Sequence, residues 1–166
     1  MASPTILCVT ANVALDRRVV VRGFKPGLVF RSDPPLETAD GKGFNVARAV
    51  QILGAKAIGC GFVGGPTGDR VQALARAEDI ECALTPIPGE TRIDTIIIDA
   101  EIGEATVINE PGPAVTAGDW QRLRRDVLHE SARADSVCLC GSLPTGSPAD
   151  ALGLLIGDLK AAGRTV

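Results

Sequence analysis

Asp40-Gly41-Lys42-Gly43-Phe44-Asn45-Val46-Ala47-Arg48 joins a flexible turn, a cation and an amide to the start of a helix, and the rest of the chain is organised around it. Val46, Ala47, Val50 and Leu53 recur at three- and four-residue steps, and Gly54 follows as a left-handed stop. That pattern predicts a helix with Asn45 in its first turn. Gly41 and Gly43 let a backbone approach a ligand closely, the first N–H groups of the helix favour an oxyanion, and Lys42 adds a full charge. A plain strand-to-helix turn with a solvated lysine satisfies the same residues, so other segments must decide between the two.

Two nucleotide-binding fingerprints fail here. A phosphate loop of the P-loop type needs Ser or Thr directly after its lysine to hold magnesium, whereas Gly43 follows Lys42. Gly59-Cys60-Gly61-Phe62-Val63-Gly64 has the glycine spacing of a dinucleotide site, but its glycines fall inside the apolar run 57–63 instead of after it.

The chain has 166 residues, 45% hydrophobic and 22% charged, which suits a soluble globular protein of one domain or less. Seventeen basic against twenty acidic residues, with 3% aromatic content and no basic cluster, argue against nucleic acid as a partner. No apolar run approaches the ~20 residues of a membrane helix and Met1-Ala2-Ser3-Pro4 carries no charged leader, so no membrane partner and a cytoplasmic location are expected. Cys8, Cys60, Cys82, Cys138 and Cys140 form no C-x-x-C pair and read as buried reduced thiols. His129 is the one histidine, on the surface of an amphipathic helix, which removes most support for a histidine triad or a multi-histidine zinc site.

Along the chain, buried strands alternate with helices: a strand over 5–10, the Gly-Lys-Gly helix, a strand over 57–63, a loop over 64–68 and a helix over 69–77. A further strand covers 81–87. Thr116-x-x-Asp119 reads as a capping box opening the Trp120 helix, 136–140 as a strand, and Ser147-Pro148 as the start of a last helix ending at Gly163. Arg164-Thr165-Val166 begins another strand, which predicts a chain cut short at Val166. Two β-rich passages interrupt this α/β pattern: strands over 18–21 and 28–31 around a Gly-Phe-Lys-Pro-Gly turn, and a hairpin of 91–98 with 105–109.

Six short stretches, in order, carry a resemblance. They are Thr10 to Asp16, Gly41 to Arg48, Gly61 to Gly65, Glu90-Thr91-Arg92, Ile108 to Pro113 and Gly141-Ser142-Leu143-Pro144. Together they resemble the N-terminal half of PfkB-type sugar kinases of the ribokinase superfamily, and within it the 1-phosphofructokinases and tagatose-6-phosphate kinases. The resemblance implies a doubly wound, mostly parallel sheet with a small β-sheet lid, the C-terminal half missing. The core would take about 1–12, 39–89 and 110–166, and the lid strands about 13–38 and 90–109. It also implies ATP-dependent phosphoryl transfer to a hydroxyl of a ketohexose phosphate, with ATP and Mg2+ as cofactors.

By the same resemblance Asp16 holds sugar hydroxyls, Gly41, Lys42 and Asn45 contact the substrate, and Arg92 and Ser142 receive the phosphate already on the sugar. A carboxylate accepts hydroxyl protons and an arginine fork binds phosphate, so each role suits its chemistry. The magnesium motif and most of the ATP pocket belong to the family's C-terminal half, and the general base is expected beyond Val166. A truncated, inactive chain without a catalytic residue of its own is therefore expected. A non-catalytic sugar-phosphate-binding or dimerisation module and a ribokinase-type kinase of another sugar or a nucleoside are the alternatives; the partners that the resemblance implies are a small-molecule sugar phosphate and a second copy of the chain, paired through the lid sheet. The chain departs from the family pattern at Val13, at Asp40 where a glycine is usual, and at Gly65-Pro66.

Overall fold

A computed structural model describes residues 3–166; Met1 and Ala2, placed above at the start of the core, lie outside the described residues. Four strands form a parallel sheet: β1 (Thr5–Asn12), β4 (Lys56–Val63), β5 (Glu81–Pro86) and β8 (Ser136–Leu139), in the order β5-β4-β1-β8. Their side chains alternate between two buried faces, which is why these segments read as continuous apolar runs. Leu7, Val9 and Ala11 pack with Trp120, Leu123 and Val127 of α3 (Ala117–Ser131) and with Leu155 and Leu159 of α4 (Ala151–Ala161). Cys8 faces the other way, towards Phe44 and Ala47 of α1 (Lys42–Ile52) and Val71 and Ala75 of α2 (Gly65–Ala77).

The chain winds outward from β1 to β4 and β5 and then returns to β8 on the opposite side of β1. Winding therefore reverses between β1 and β8, and open α/β sheets bind ligands at the C-terminal strand ends where that happens. Close approach fixes this centre. A Cβ on Gly61 of β4 would fall onto the Thr10 carbonyl oxygen, and one on Gly43 would lie 3.0 Å from Thr10 Cβ and 3.2 Å from the Cys8 carbonyl oxygen. Gly43 thus brings α1 onto β1, which corrects the expectation that it serves approach to a ligand.

A second, mixed sheet has the order β3-β2-β6-β7, from β2 (Ala14–Val21), β3 (Leu36–Asp40), β6 (Arg92–Asp99) and β7 (Glu104–Ile108). β2 runs parallel to β6, while β3 and β7 are antiparallel neighbours. Leu15 and Ala39 are buried, and with Ile93 they pack into the cluster of α1 and α2.

Several boundaries differ from the sequence-based expectation. Residues 28–31 form no strand: Leu28 and Val29 are exposed, and the Phe30 ring packs tilted against Phe24 in a loop whose start is held by Asp99, which accepts hydrogen bonds from the Gly23 and Phe24 N–H groups at 2.9 and 2.7 Å. The strand that pairs with β2 is the more polar β3, after Pro34-Pro35. β2 itself begins at Ala14, so Asp16 stands within a strand. α2 starts at Gly65, taking in the expected loop residues 65–68, because Pro66 in a first turn loses no helical hydrogen bond. α4 starts only at Ala151, after a turn in which the Ser147 hydroxyl donates to the Pro144 carbonyl at 2.6 Å.

The strand expected at Arg164-Thr165-Val166 is a further correction. These residues form no strand and Val166 is exposed, although the Val137 N–H of β8 donates to the Thr165 carbonyl at 2.8 Å. One backbone bond over three residues does not make a ladder, so the segment lies beside β8 without extending the sheet.

The capping box at Thr116 and Asp119 forms as read, and the five cysteines are free thiols. Burial pushes Cys8 up to about 11 and Cys60 to about 12. His129 is exposed beside Glu130. Among the described residues no helix is long and apolar enough to cross a membrane.

Candidate functional site

A cleft of about 700 Å³ opens where the winding reverses, and Asp16, Gly41, Lys42, Asn45, Arg92 and Ser142 all line it. Both sheets supply its walls. Thr10 and Asn12 come from the end of β1, Gly41, Lys42 and Asn45 from the start of α1, and Gly141 with Ser142 from the chain leaving β8. The second sheet contributes Asp16 and Arg18 from β2, Asp40 from β3, and Arg92 and Asp94 from β6.

At the helix end, Gly41 has φ +116° as the residue before α1, a conformation that favours glycine. No side chain caps α1 and no acidic residue lies in its first turn, so its positive end opens at Gly41 towards the cleft. Lys42 has no ion-pair partner among the described residues. Arg48, one turn on, donates to Asn45 Oδ1 at 3.1 Å and to the Ala39 carbonyl at 2.6 Å while paired with Glu78. Asn45 is thereby oriented with its amide nitrogen left for the cleft.

Arg92 is held on three sides. Its Nη1 donates to Asp94 at 2.8 Å and to the Glu110 carbonyl at 3.2 Å, and Nη2 donates to the Asn12 carbonyl at 3.3 Å. Nε is buried without a partner. Glu110 ties the arrangement together: its carboxylate accepts the Ile93 N–H at 3.0 Å and its own N–H donates to Asp94 at 3.1 Å. Across the cleft, Asn12 Nδ2 donates to Ser142 Oγ at 3.3 Å, linking the end of β1 to the loop after β8.

Register brings three carboxylates together. Asp16 lies beside Asp94 in the β2–β6 pair, and Asp40 lies opposite Ala14 in the β2–β3 pair, so oxygens of Asp16, Asp40 and Asp94 fall within 4.8 Å of one another. Burial first, then the Asp40 carboxylate, pushes Asp16 up to about 7. Burial also raises Asp94, against the lowering pull of Arg92. Among the described residues these are the one group of three carboxylates close enough to share a cation. Asp94 is already paired with Arg92, so Asp16 and Asp40 are the two carboxylates of the group left free.

Sequence reasoning did not place Asp94, Asn12 or Glu110 in the site, and read Asp40 only as a departure from a pattern. The spacing Arg92-x-Asp94 was a usable signal, since residues two apart on a strand share a face.

The chain matches the family model described as pfkB family carbohydrate kinase over residues 5–165. It is similar to a 1-phosphofructokinase of Bacillus subtilis, 32% identical over 145 residues, covering 87% of this chain and 46% of the relative. The crystal structure of a possible 1-phosphofructokinase from Thermotoga maritima superposes with a TM-score of 0.89 at 31% identity, over 96% of this chain and 52% of that one. Phosphofructokinase-2 from Escherichia coli in complex with fructose-6-phosphate gives 0.87 at 27% identity, over 99% and 53%. The chain spans about half the length of the curated relatives it matches.

Proposed function

Because the chain belongs to the pfkB family of carbohydrate kinases, we propose that it forms the sugar-phosphate side of an enzyme that transfers the γ-phosphoryl group of ATP to a hydroxyl of a ketohexose phosphate. The observation that carries this reading is the convergence of Asp16, Gly41, Lys42, Asn45, Arg92 and Ser142 on one cleft from separate points of the chain. Asp16 and Asn45 offer an acceptor and a donor to sugar hydroxyls. Lys42 and the open end of α1 offer charge to a phosphate, while Ser142 and Arg92, which is already paired with Asp94, offer donors. ATP, when bound, supplies the transferred group, and magnesium neutralises its phosphates. On this reading the groups that hold both, and the general base, lie beyond Val166, in the part of the relatives' length that this chain does not span.

Calorimetry with the 166-residue chain tests the reading. Fructose 6-phosphate should bind at least about tenfold more tightly than fructose, since charge-assisted hydrogen bonds contribute roughly 1.5–3 kcal/mol each. Equal affinity would instead favour a kinase of an unphosphorylated sugar or a nucleoside, a second reading supported by the charge balance of the lining: Asp16, Asp40 and Asp94 offset Arg18, Lys42 and Arg92. ADP release by the chain alone, absent in Asp16→Ala, would overturn the assignment of the general base to a position beyond Val166.

The second sheet serves in this proposal as a lid that also pairs two chains. It exposes Val20, Leu36 and Val107, an apolar set that a second copy would cover. Sedimentation should then show a dimer, and a monomer at high concentration would count against this use of the sheet.

A further inference from the structure

Asp16 and Asp40 meet in the cleft without the partners that buried carboxylates ordinarily keep. Asp16 is 8% exposed, and Asp40 is half-buried at the end of β3. Among the described residues neither carboxylate accepts a hydrogen bond from a donor at the site or pairs with a cation. The nearby charges are engaged elsewhere or set apart. Arg92 is paired with Asp94, Arg48 of α1 is paired with Glu78, Arg18 of β2 donates to Thr38 at 3.4 Å, and Lys42 opens α1.

Two such groups, with oxygens of theirs and of the Asp94 carboxylate all within 4.8 Å of one another, do not both ionise readily. We propose that Asp16 and Asp40 share one proton and that Asp40 is thereby a specificity-determining residue of the cleft. In the singly protonated state the pair offers one O–H donor beside free acceptor oxygens, a match for a ligand with neighbouring hydroxyls that each donate and accept. In the doubly ionised state it adds a charge that repels an anionic ligand. The ligand half of this proposal rests on the sugar-phosphate reading above; the shared proton does not.

The closing experiment separates the two. In the 166-residue chain labelled with carbon-13 at the aspartate carboxyl carbons, one resonance should titrate near neutrality, vanish in Asp16→Asn, and move down by about one pH unit or more in Asp40→Asn. Asp40→Gly, which restores the residue usual in the family, should act as Asp40→Asn does and guards against a local effect of the amide. An Asp16 carboxyl titrating below about pH 5, or unmoved in both Asp40 variants, overturns the shared proton. Calorimetry with fructose 6-phosphate at about pH 6 and about pH 8.5, on either side of that titration, then reads specificity. The affinity ratio between the two pH values should shift by about fivefold or more towards the lower one relative to Asp40→Asn, the phosphate's own ionisation being common to both proteins. An equal ratio in both overturns the role of Asp40 in specificity. Loss of binding at every pH with the neutral titration intact overturns that role and the sugar-phosphate reading together, and upholds the proton sharing.

Discussion

The two sheets of this molecule are built on opposite terms. The parallel sheet is covered on both faces by helices, so most of β1 and β4 is buried and apolar, and the buried polar residues of β1, Thr10 and Asn12, stand at its end on the cleft. The mixed sheet packs Leu15, Ala39 and Ile93 against α1 and α2, and turns Asp16, Asp40, Arg92 and Asp94 towards the cleft. Its β7 is exposed along its whole length. The contrast teaches where charge can be placed. A sheet covered on both faces holds shape and has little room for unpaired polar groups, whereas a half-covered sheet presents them to a ligand while its other face anchors it.

The sharpest way to break the contrast is Gly61→Val. Its Cβ would overlap the Thr10 carbonyl oxygen, and both backbones lie in the central sheet, so no flexible atom can yield. A loss of about 3 kcal/mol or more is expected, read as absence of a cooperative urea transition.

A matched pair sharpens it. Leu123→Ala empties a fully buried site and should lower stability by about 3 kcal/mol, whereas Val107→Ala on β7, measured at a protein concentration low enough to separate the proposed dimer, should change it by less than about 0.5 kcal/mol. Similar losses from both in chemical denaturation would mean that the mixed sheet is covered in solution.

Within the mixed sheet, Arg92→Ala strands the buried Asp94 carboxylate and should cost about 2 kcal/mol, with Arg92→Ala/Asp94→Asn recovering part of it. No recovery in the double variant would show that Arg92 matters through packing and its bonds to Asn12 and Glu110.

The smallest effect is a pH slope. Asp16 stands at about 7 in the folded chain against its ordinary 3.8, so between those values the native state binds more protons than the unfolded one and stability falls as pH rises. Glu37, Glu81 and Asp119 are held below their ordinary values and act in the opposite sense, losing stability only as pH falls through the acid range. The two windows are separate. Asp40→Asn should therefore stabilise the chain at about pH 8 by on the order of 1 kcal/mol and flatten the slope between about pH 5 and 7, as read by urea denaturation across that range.

How far the fold could be read in advance followed from how local each signal is. β1, β4, α1 and the capping box at Thr116 were legible because run length, helical spacing and cap chemistry act within a few residues. The misplaced strand at 28–31 shows the opposite case. Leu28, Val29 and Phe30 look strand-like, but Phe30 is drawn to Phe24 and the pairing goes to Leu36-Glu37-Thr38-Ala39-Asp40, a segment whose alternation is obscured by its polar face. In the site, Lys42 and Asn45 announced themselves through the turn and helix that carry them and Asp94 only through its two-residue spacing from Arg92, while Glu110 acts through bonds to the Ile93 backbone and to Asp94 that have no local signature.

The α/β alternation, the family and the polar and charged residue types that line the cleft were legible in the sequence, because burial period, turn chemistry and ordered motifs are written residue by residue. Only the tertiary structure decided that Asp16 lies beside Asp94 and two residues along from the position of Asp40, and so that three carboxylates confront one another. Strand register is a choice between distant segments, and a slip of one residue would have turned the same side chains to the opposite face.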